Sequence, residues 1–271
     1  MPFRRIILAL MSALLFTGCT SEPPDPREPS EPRDAPSASP SPEKEIDVEV
    51  VTVRSTHVPS DIQQRLEHVR VTGLPDHDGQ QRINQLLRAV PEQTLDDFED
   101  NLTDPALDNP DLPPTTTLRS TATVGLRGPD LVSAAFHYQA NGGELARAPE
   151  LAYDSITIDL ETEAVLSNRE MLSKRVRTPE GARELGRLLR RSGPDGELCG
   201  PRPAGAREFQ PSDFVAQDEG ERTVWLFPQQ QHVTFAVALA NFGYPMSCAR
   251  QNIDVDYREL NEFLAPAMRR D

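Results

Sequence analysis

Hydrophobic residues are spread unevenly along this chain, and their spacing predicts distinct kinds of segment. Residues 6–16 are apolar throughout except for Ser12, and no aliphatic residue larger than Ala then occurs before Ile46. From that point β-branched residues dominate. Ile46, Val48 and Val50, followed out of phase by Val51 and Val53, predict a strand carrying a bulge, and residues 66–74 predict a second with Val69 and Val71 on one face. Residues 76–79 read as a helix start, and Ile83, Leu86, Leu87 and Val90 recur at helical spacing. Pro91 predicts a break, after which Leu95, Phe98 and Leu102 continue the pattern as separate turns.

An acidic, proline-rich loop covers residues 104–114. Two β-type runs follow, 115–126 and 131–139, joined by Arg127-Gly128-Pro129-Asp130. Thr121, Thr123 and Gly125 alternate on the first, and Val132, Ala134, Phe136 and Tyr138 on the second, which predicts a hairpin. Asn141-Gly142-Gly143 predicts a turn. Residues 151–160 form a further strand through Tyr153, Ile156, Ile158 and Leu160, turned by Glu161-Thr162-Glu163 towards Val165 and Leu166. Helices are expected from Asn168 and over 179–191, the second with Pro near its N-terminus. Residues 193–206 read as a loop holding Cys199. Residues 214–216 and 223–227 are expected to pair across Gly220. The stretch 233–239 leaves strand and helix both open, because alternate positions are small. A last helix after Asp256 carries Leu260, Phe263 and Leu264. Strands and helices mix without βαβ regularity, so the expected fold is α+β: a mainly antiparallel sheet with packed helices in one domain over 46–271.

The N-terminal run has its own meaning. Arg4 and Arg5 precede it and Thr17-Gly18-Cys19 follow. Its eleven residues are too few for a helix across a hydrocarbon core of ~30 Å, so residues 1–18 predict a cleaved export signal and not a permanent span. Arg4-Arg5 raises twin-arginine export, although the motif around them points to the Sec route. Leu15-Phe16-Thr17-Gly18-Cys19 resembles a bacterial lipobox, which implies a lipoprotein with Cys19 as the acylated N-terminal residue, palmitate included. The alternative is an ordinary secretory signal with an incidental Cys19. Residues 20–45 hold eight of the 26 prolines among Ser, Asp, Glu and Arg. Such a segment cannot bury enough surface to offset its ordering entropy, so 19–45 is expected to be a disordered tether. Fully extended at ~3.1 Å per residue it reaches roughly 80 Å.

Composition narrows the picture further. The chain has 43 acidic and 28 basic residues, a net charge of −15. Loss of residues 1–18 removes only Arg4 and Arg5, which leaves 26 basic residues and a net charge of −17. Neutralising phosphates needs clustered cations, so this balance excludes nucleic acid as the expected partner. It also repels anionic headgroups, so lipid and not electrostatics would hold the protein at its membrane. Of the basic residues only Lys44 and Lys174 are lysine, a bias that reflects codon usage. With Cys19 assigned to the lipid, Cys199 and Cys248 remain, and an exported chain meets oxidising conditions, so a disulfide is expected between them. A catalytic thiol is the alternative, but no Cys-His arrangement accompanies either cysteine.

No standard catalytic motif is present: no G-x-S-x-G, no H-E-x-x-H, no phosphate-binding glycine loop and no C-x-x-C. His57, His68, His77, His137 and His232 are scattered. Asp76-His77-Asp78 is the nearest approach to a metal cluster, yet it lies at a helix start, where Asp favours the helix dipole. Asp96-Asp97 with Glu99-Asp100 lacks the alternate spacing and central Gly of a calcium loop. Ser155 could be drawn into a hydrolase triad, but no nucleophile elbow surrounds it. No catalytic residue, cofactor or metal is therefore assigned. Phe209, Phe214, Trp225, Phe227, Phe235, Phe242, Tyr244 and Tyr257 cluster late in the chain, either as core or as the lining of a groove.

Several segments together resemble the extracellular domain of RsiV-type anti-sigma factors. That domain also occurs in secreted actinobacterial proteins, including a mycobacterial immunogenic antigen. The carrying residues are Val132-Ser133-Ala134-Ala135-Phe136-His137-Tyr138 with Gly142-Gly143, then Ile156-Thr157-Ile158-Asp159-Leu160-Glu161-Thr162. Val165-Leu166, Arg169-Glu170-Met171-Leu172, Phe227-Pro228 and Val255-Asp256-Tyr257-Arg258-Glu259-Leu260 complete the pattern, which spans roughly residues 46–265. The chain departs from it at Glu144-Leu145, where the family has Ala-His, and at Glu163, where it has Gly. It also shows neither a cytoplasmic sigma-binding segment nor a transmembrane helix, so an anti-sigma role is not expected. The resemblance implies an α+β envelope domain, which in RsiV-type proteins binds lysozyme. The functional expectation is therefore a lipid-anchored protein on the extracytoplasmic face of the cell membrane, whose acidic head binds or senses a basic protein such as lysozyme. The alternatives are a secreted esterase or cell-wall hydrolase, and a stalked structural protein without a specific ligand.

Overall fold

The computed structural model describes residues 46–57, 62–102, 117–141, 152–215, 223–248 and 250–270. The chain divides into two units, Met1–Pro42 and Glu43–Asp271, and every described residue belongs to the second. The expected export signal, Cys19 and the expected tether, like Gly142-Gly143, Glu144-Leu145 and Gly220, lie outside the described residues.

Six strands form one sheet in chain order: β1 (Asp47–His57), β2 (Ile62–Thr72), β3 (Thr117–Arg127), β4 (Leu131–Asn141), β5 (Ala152–Asp159) and β6 (Ala164–Val165). All neighbours run antiparallel except β2 and β3, which are parallel over Gln63–Arg65 and Thr117–Arg119. A parallel pair cannot be closed by a tight turn, and here the crossover carries helix α1 (His77–Leu102). The fold is thus α+β as expected, with one βαβ unit that the hydrophobic pattern did not reveal. The bulge expected in β1 is absent, since pairing with β2 is unbroken from Asp47↔Thr72 to His57↔Ile62. The phase change has another origin. Val48, Val69 and Val71 are buried from one face of this ribbon, whereas Gln64 and Leu66 are buried from the other. Two-stranded ribbons twist strongly, so opposite faces turn towards the interior at the two ends.

α1 also differs from expectation, because it continues through Pro91. A mid-helix proline removes one backbone bond and crowds the preceding turn, at about 3 kcal/mol. Packing offsets this: Ile83 and Leu87 are fully buried against Val69, Val71, Phe136 and Ile158. The helix is pinned at several points. The Asp76 carboxylate accepts the Asp78 N–H (3.0 Å), the Asn84 side chain bonds both the N–H and C=O of Val71 (2.7 and 2.9 Å), and the Thr94 hydroxyl donates to Asp154 (2.9 Å).

A second, antiparallel sheet comprises β7 (Val224–Pro228), β8 (His232–Ala238) and β9 (Arg250–Asp256). The ambiguous stretch is therefore strand β8, and its small alternate residues Thr234 and Ala236 lie on the face turned to the larger sheet. Val233, Phe235 and Val237 point the other way into the main core. Among the described residues, 214–215 do not pair with 223–227 as expected. Phe214 instead ends α4 (Pro211–Phe214), with proline at its first turn, and stacks on Phe209 at 5.5 Å. That core is closed by α2 (Asn168–Met171), α3 (Pro179–Ser192) and α5 (Tyr257–Leu260). Phe263 and Leu264, expected on the last helix, follow α5 in a turn and still reach the core. The order of layers is α1, six-stranded sheet, three-stranded sheet, α3. β4 lies centrally and is buried on both faces over residues 131–136. Among the described residues no helix is long and apolar enough to cross a membrane.

Glu163 shows how a side chain is accommodated where the backbone favours glycine. Asp159 Oδ1 accepts the N–H groups of Glu161 (3.0 Å) and Thr162 (2.9 Å), a local turn that forces residue 163 into the left-handed region at φ 56°. Glycine meets that requirement without steric penalty, and glutamate does not. Glu163 instead forms a two-pronged ion pair with Arg82 of α1, one prong 2.7 Å long. The guanidinium holds its carboxyl below the usual carboxylate range.

Candidate functional site

The two sheets meet through small polar side chains. Ser133 of β4 is fully buried; its Oγ accepts the Leu126 N–H (2.8 Å) and donates to the Pro228 carbonyl of β7 (2.5 Å). Ser155 of β5 donates to the Leu226 carbonyl (2.9 Å). Gly125, in the register shift of β3, lies so close that a Cβ there would meet Pro228 and Ser133. At the open end of this join aromatic rings form a ladder. His137 meets Tyr153 edge-on at 4.8 Å, Tyr153 meets Trp225 at 6.4 Å, and the Arg250 guanidinium lies 5.1 Å from the Trp225 ring and 5.5 Å from that of Tyr153. The Tyr153 hydroxyl is buried without a hydrogen-bond partner among the described residues, and burial pushes its ionisation well above the usual phenol range.

Beyond the ladder, the same face of the small sheet becomes acidic. Asp254 and Asp256 alternate with the buried Ile253 and Val255, so both carboxylates leave β9 on one side. Glu259 follows on α5. Together with Arg191 and Ser192 at the end of α3 they line an open cleft of about 440 Å³. Asp254 accepts the Thr234 hydroxyl (2.6 Å), lies 3.5 Å from His232 Nε2 and is 62% exposed. Arg191 reaches Glu259 at 3.3 Å. Three carboxylates against one guanidinium leave this cleft electronegative, with the charges held on a strand and a helix. It can take up a basic side chain from a partner.

The residues singled out from the sequence have structural places of their own. Cys199 and Cys248 are disulfide-bonded, with Cα atoms 5.8 Å apart, joining the loop after α3 to the turn before β9. Asp76 caps α1 and also lies 3.5 Å from Arg82, and no group of His, Cys, Asp and Glu among the described residues is arranged to hold a metal ion. Asp96 and Asp97 are exposed on the later turns of α1, while the side chains of Glu99 and Asp100 lie outside the described residues. Ser155 spends its hydroxyl on the inter-sheet bond. Phe209, Phe214, Phe227, Phe235, Phe242, Tyr244 and Tyr257 are core residues, and Trp225 alone of that group is half-exposed. Of the histidines, His77 is exposed, His68 is half-buried with its protonation disfavoured by burial and by Arg88, and the His57 side chain lies outside the described residues. Sequence reasoning did not single out the Asp254–Asp256–Glu259 row. Its signal was visible in the alternation Ile253-Asp254-Val255-Asp256, but the approach of α3 was not.

The chain matches no family model, and no curated protein matches it by sequence. Two solved structures of DUF3298 family members have similar chain traces. A protein from Bacteroides fragilis aligns with a TM-score of 0.47 at 9% identity, covering 82% of this chain and 95% of its own. A protein from Pseudomonas aeruginosa aligns with a TM-score of 0.45 at 17% identity, covering 84% of this chain and 99% of its own.

Proposed function

We propose that this chain is an exported, lipid-anchored binding module whose acidic head captures a basic protein, with the β9–α5 cleft as its contact. One observation carries the reading: three carboxylates, Asp254, Asp256 and Glu259, share an open cleft with a single arginine. The net charge of −17 after loss of residues 1–18 adds long-range attraction for a cationic partner. The Cys199–Cys248 bond suits an oxidising compartment, and the lipobox-like Leu15–Cys19 stretch with its proline-rich tether supplies the anchor. Lysozyme is the basic protein that the RsiV-type resemblance implies, and it serves as the first probe.

The test is biolayer interferometry of the full-length chain in detergent against a chicken-type lysozyme, with cytochrome c as an equally basic control. Binding to lysozyme should weaken at least about tenfold between low and physiological salt and weaken again in the Asp254→Asn, Asp256→Asn, Glu259→Gln triple variant. Salt-independent binding, or full binding by a folded triple variant, refutes the cleft as the contact. The esterase and hydrolase alternative has no comparable support, because Ser155 is held in a structural hydrogen bond.

A further inference from the structure

A second charged feature has the opposite sign. On the β1–β2–β3 edge of the large sheet, Arg54 is directly opposite Arg65, and Arg65 is directly opposite Arg119. Residues paired in this way leave one face of the sheet, so three arginines occupy neighbouring positions across three strands. The same ribbon shows the ordinary solution further along, where Glu49 is opposite Arg70 and the two are ion-paired at 2.6 Å. Like charges in register are destabilising, and in a chain with fifteen more acidic than basic side chains there is no shortage of carboxylates.

Several other arginines among the described residues, though not Arg127, Arg169 or Arg258, use those carboxylates: Arg82, Arg88, Arg175, Arg190, Arg191, Arg202 and Arg207 are ion-paired. Among the described residues Arg54 and Arg119 have no such partner. Arg65 is half-exposed and 4.0 Å from Glu67, whose other oxygen is committed to the Ala122 N–H at 3.0 Å. The row lines an open groove of about 560 Å³, shared with Gln63, Gln64 and Thr117. Arginine as such carries no information here, because nearly every basic residue of the chain is arginine. The placement does.

We propose that this groove binds a soluble anion carrying several linked phosphate groups. A guanidinium presents paired donors that match a phosphate edge, and a tetrahedral phosphate can accept from two neighbouring forks. Strands ~4.8 Å apart place the outer arginines roughly 10 Å from each other, too far for one phosphate and suited to a short chain of them. The groove is a site separate from the carboxylate cleft, and the two readings stand or fall independently.

The experiment is isothermal titration calorimetry of the full-length chain with tripolyphosphate and, separately, orthophosphate. Tripolyphosphate should bind, orthophosphate at least about tenfold more weakly, and Arg65→Gln or Arg119→Gln should each weaken tripolyphosphate about tenfold, the loss of one charge-assisted contact. Arg258→Gln, an exposed arginine on α5 with the same charge change, should move it less than about twofold. Because the row is repulsive, the Arg65 and Arg119 variants should melt at or above the temperature of the wild type. Four results overturn the proposal: no binding of tripolyphosphate, equal affinity for orthophosphate, an Arg258→Gln loss as large as that of Arg119→Gln, or variants of the row that melt several degrees lower. A single-stranded oligonucleotide that binds more tightly than tripolyphosphate through the same arginines would also overturn it, by assigning the groove to nucleic acid.

Discussion

Replacing Ser133 with alanine tests how the two sheets are held together. The side chain is fully buried, and its one oxygen serves two backbone groups, the Leu126 N–H at 2.8 Å and the Pro228 carbonyl at 2.5 Å. Leu126 falls within the register shift between β3 and β4, so the ladder offers its N–H no substitute. Alanine removes one atom and strands a donor and an acceptor where water has no access. Each stranded neutral group costs about 1–2 kcal/mol, so Ser133→Ala should lose about 2–4 kcal/mol. For a folded unit of about 225 residues that is a drop of roughly 5–15 °C in melting temperature. Ser155→Ala removes one bond at a half-buried site and should lose only about 0.5–1.5 kcal/mol. The two serines sit on adjacent strands and hold the same strand β7, so the double variant should lose less than the sum of the two. Thermal melts by circular dichroism with matched urea titrations give all three values. A Ser133→Ala protein within 1–2 °C of wild type, or a Ser155→Ala loss equal to it, would refute the idea that buried serine bridges define this interface. Any ester turnover in the preparation should survive Ser155→Ala, and turnover abolished by that change would restore the hydrolase reading.

Three further outcomes are expected. Replacing Cys199 and Cys248 with serine releases a bond spanning 49 residues of sequence and should lower stability by about 4 kcal/mol in the chain-entropy treatment, read as a fall of roughly 8–16 °C in melting temperature. Arg207→Met leaves the Asp213 side chain, 4% exposed, with only the Gln210 N–H and the Thr223 hydroxyl as partners, a loss of about 2–3 kcal/mol in urea titration because a buried carboxylate then lacks its counter-charge. Glu170 accepts the Ser167 hydroxyl and N–H, which together lower its pKa below the usual 4.5. The unfolded chain therefore takes up its proton first. That part of the stability is present above pH 4.5 and is lost as the pH falls through the folded value, so the acid slope of melting temperature should be shallower in Glu170→Gln.

Much of the fold could be read from the chain because those elements depend on local pattern. The β3–β4 hairpin, β5 and α3 declared themselves through alternation, turn residues and the Thr178-Pro179 start, and each lies within a few residues of its expected bounds. The misreadings share a cause, which is tertiary packing acting against local preference. Pro91 reads as a helix stop, yet burial of Ile83 and Leu87 against the large sheet carries α1 past it. Val50 and Val51 read as a bulge, yet twist produces the phase change. Phe214 reads as a strand residue, yet stacking on Phe209 and the Pro211 turn make it helical.

The binding surfaces divide in the same way. Sequence alone determined the acidic balance, the α+β class of the region that begins at Ile46, and the pairing of Cys199 with Cys248. These follow from composition and period, which do not require knowing what lies beside what. Tertiary structure decided which charges become neighbours. Asp254 and Asp256 meet Glu259 because α5 folds back beside β9, and Arg54, Arg65 and Arg119 meet because α1 carries the chain across to set β3 parallel to β2. Sequence separations of 11 and 54 residues within that arginine row collapse to single strand spacings, and only register, set by the packing of a distant core, brings that about.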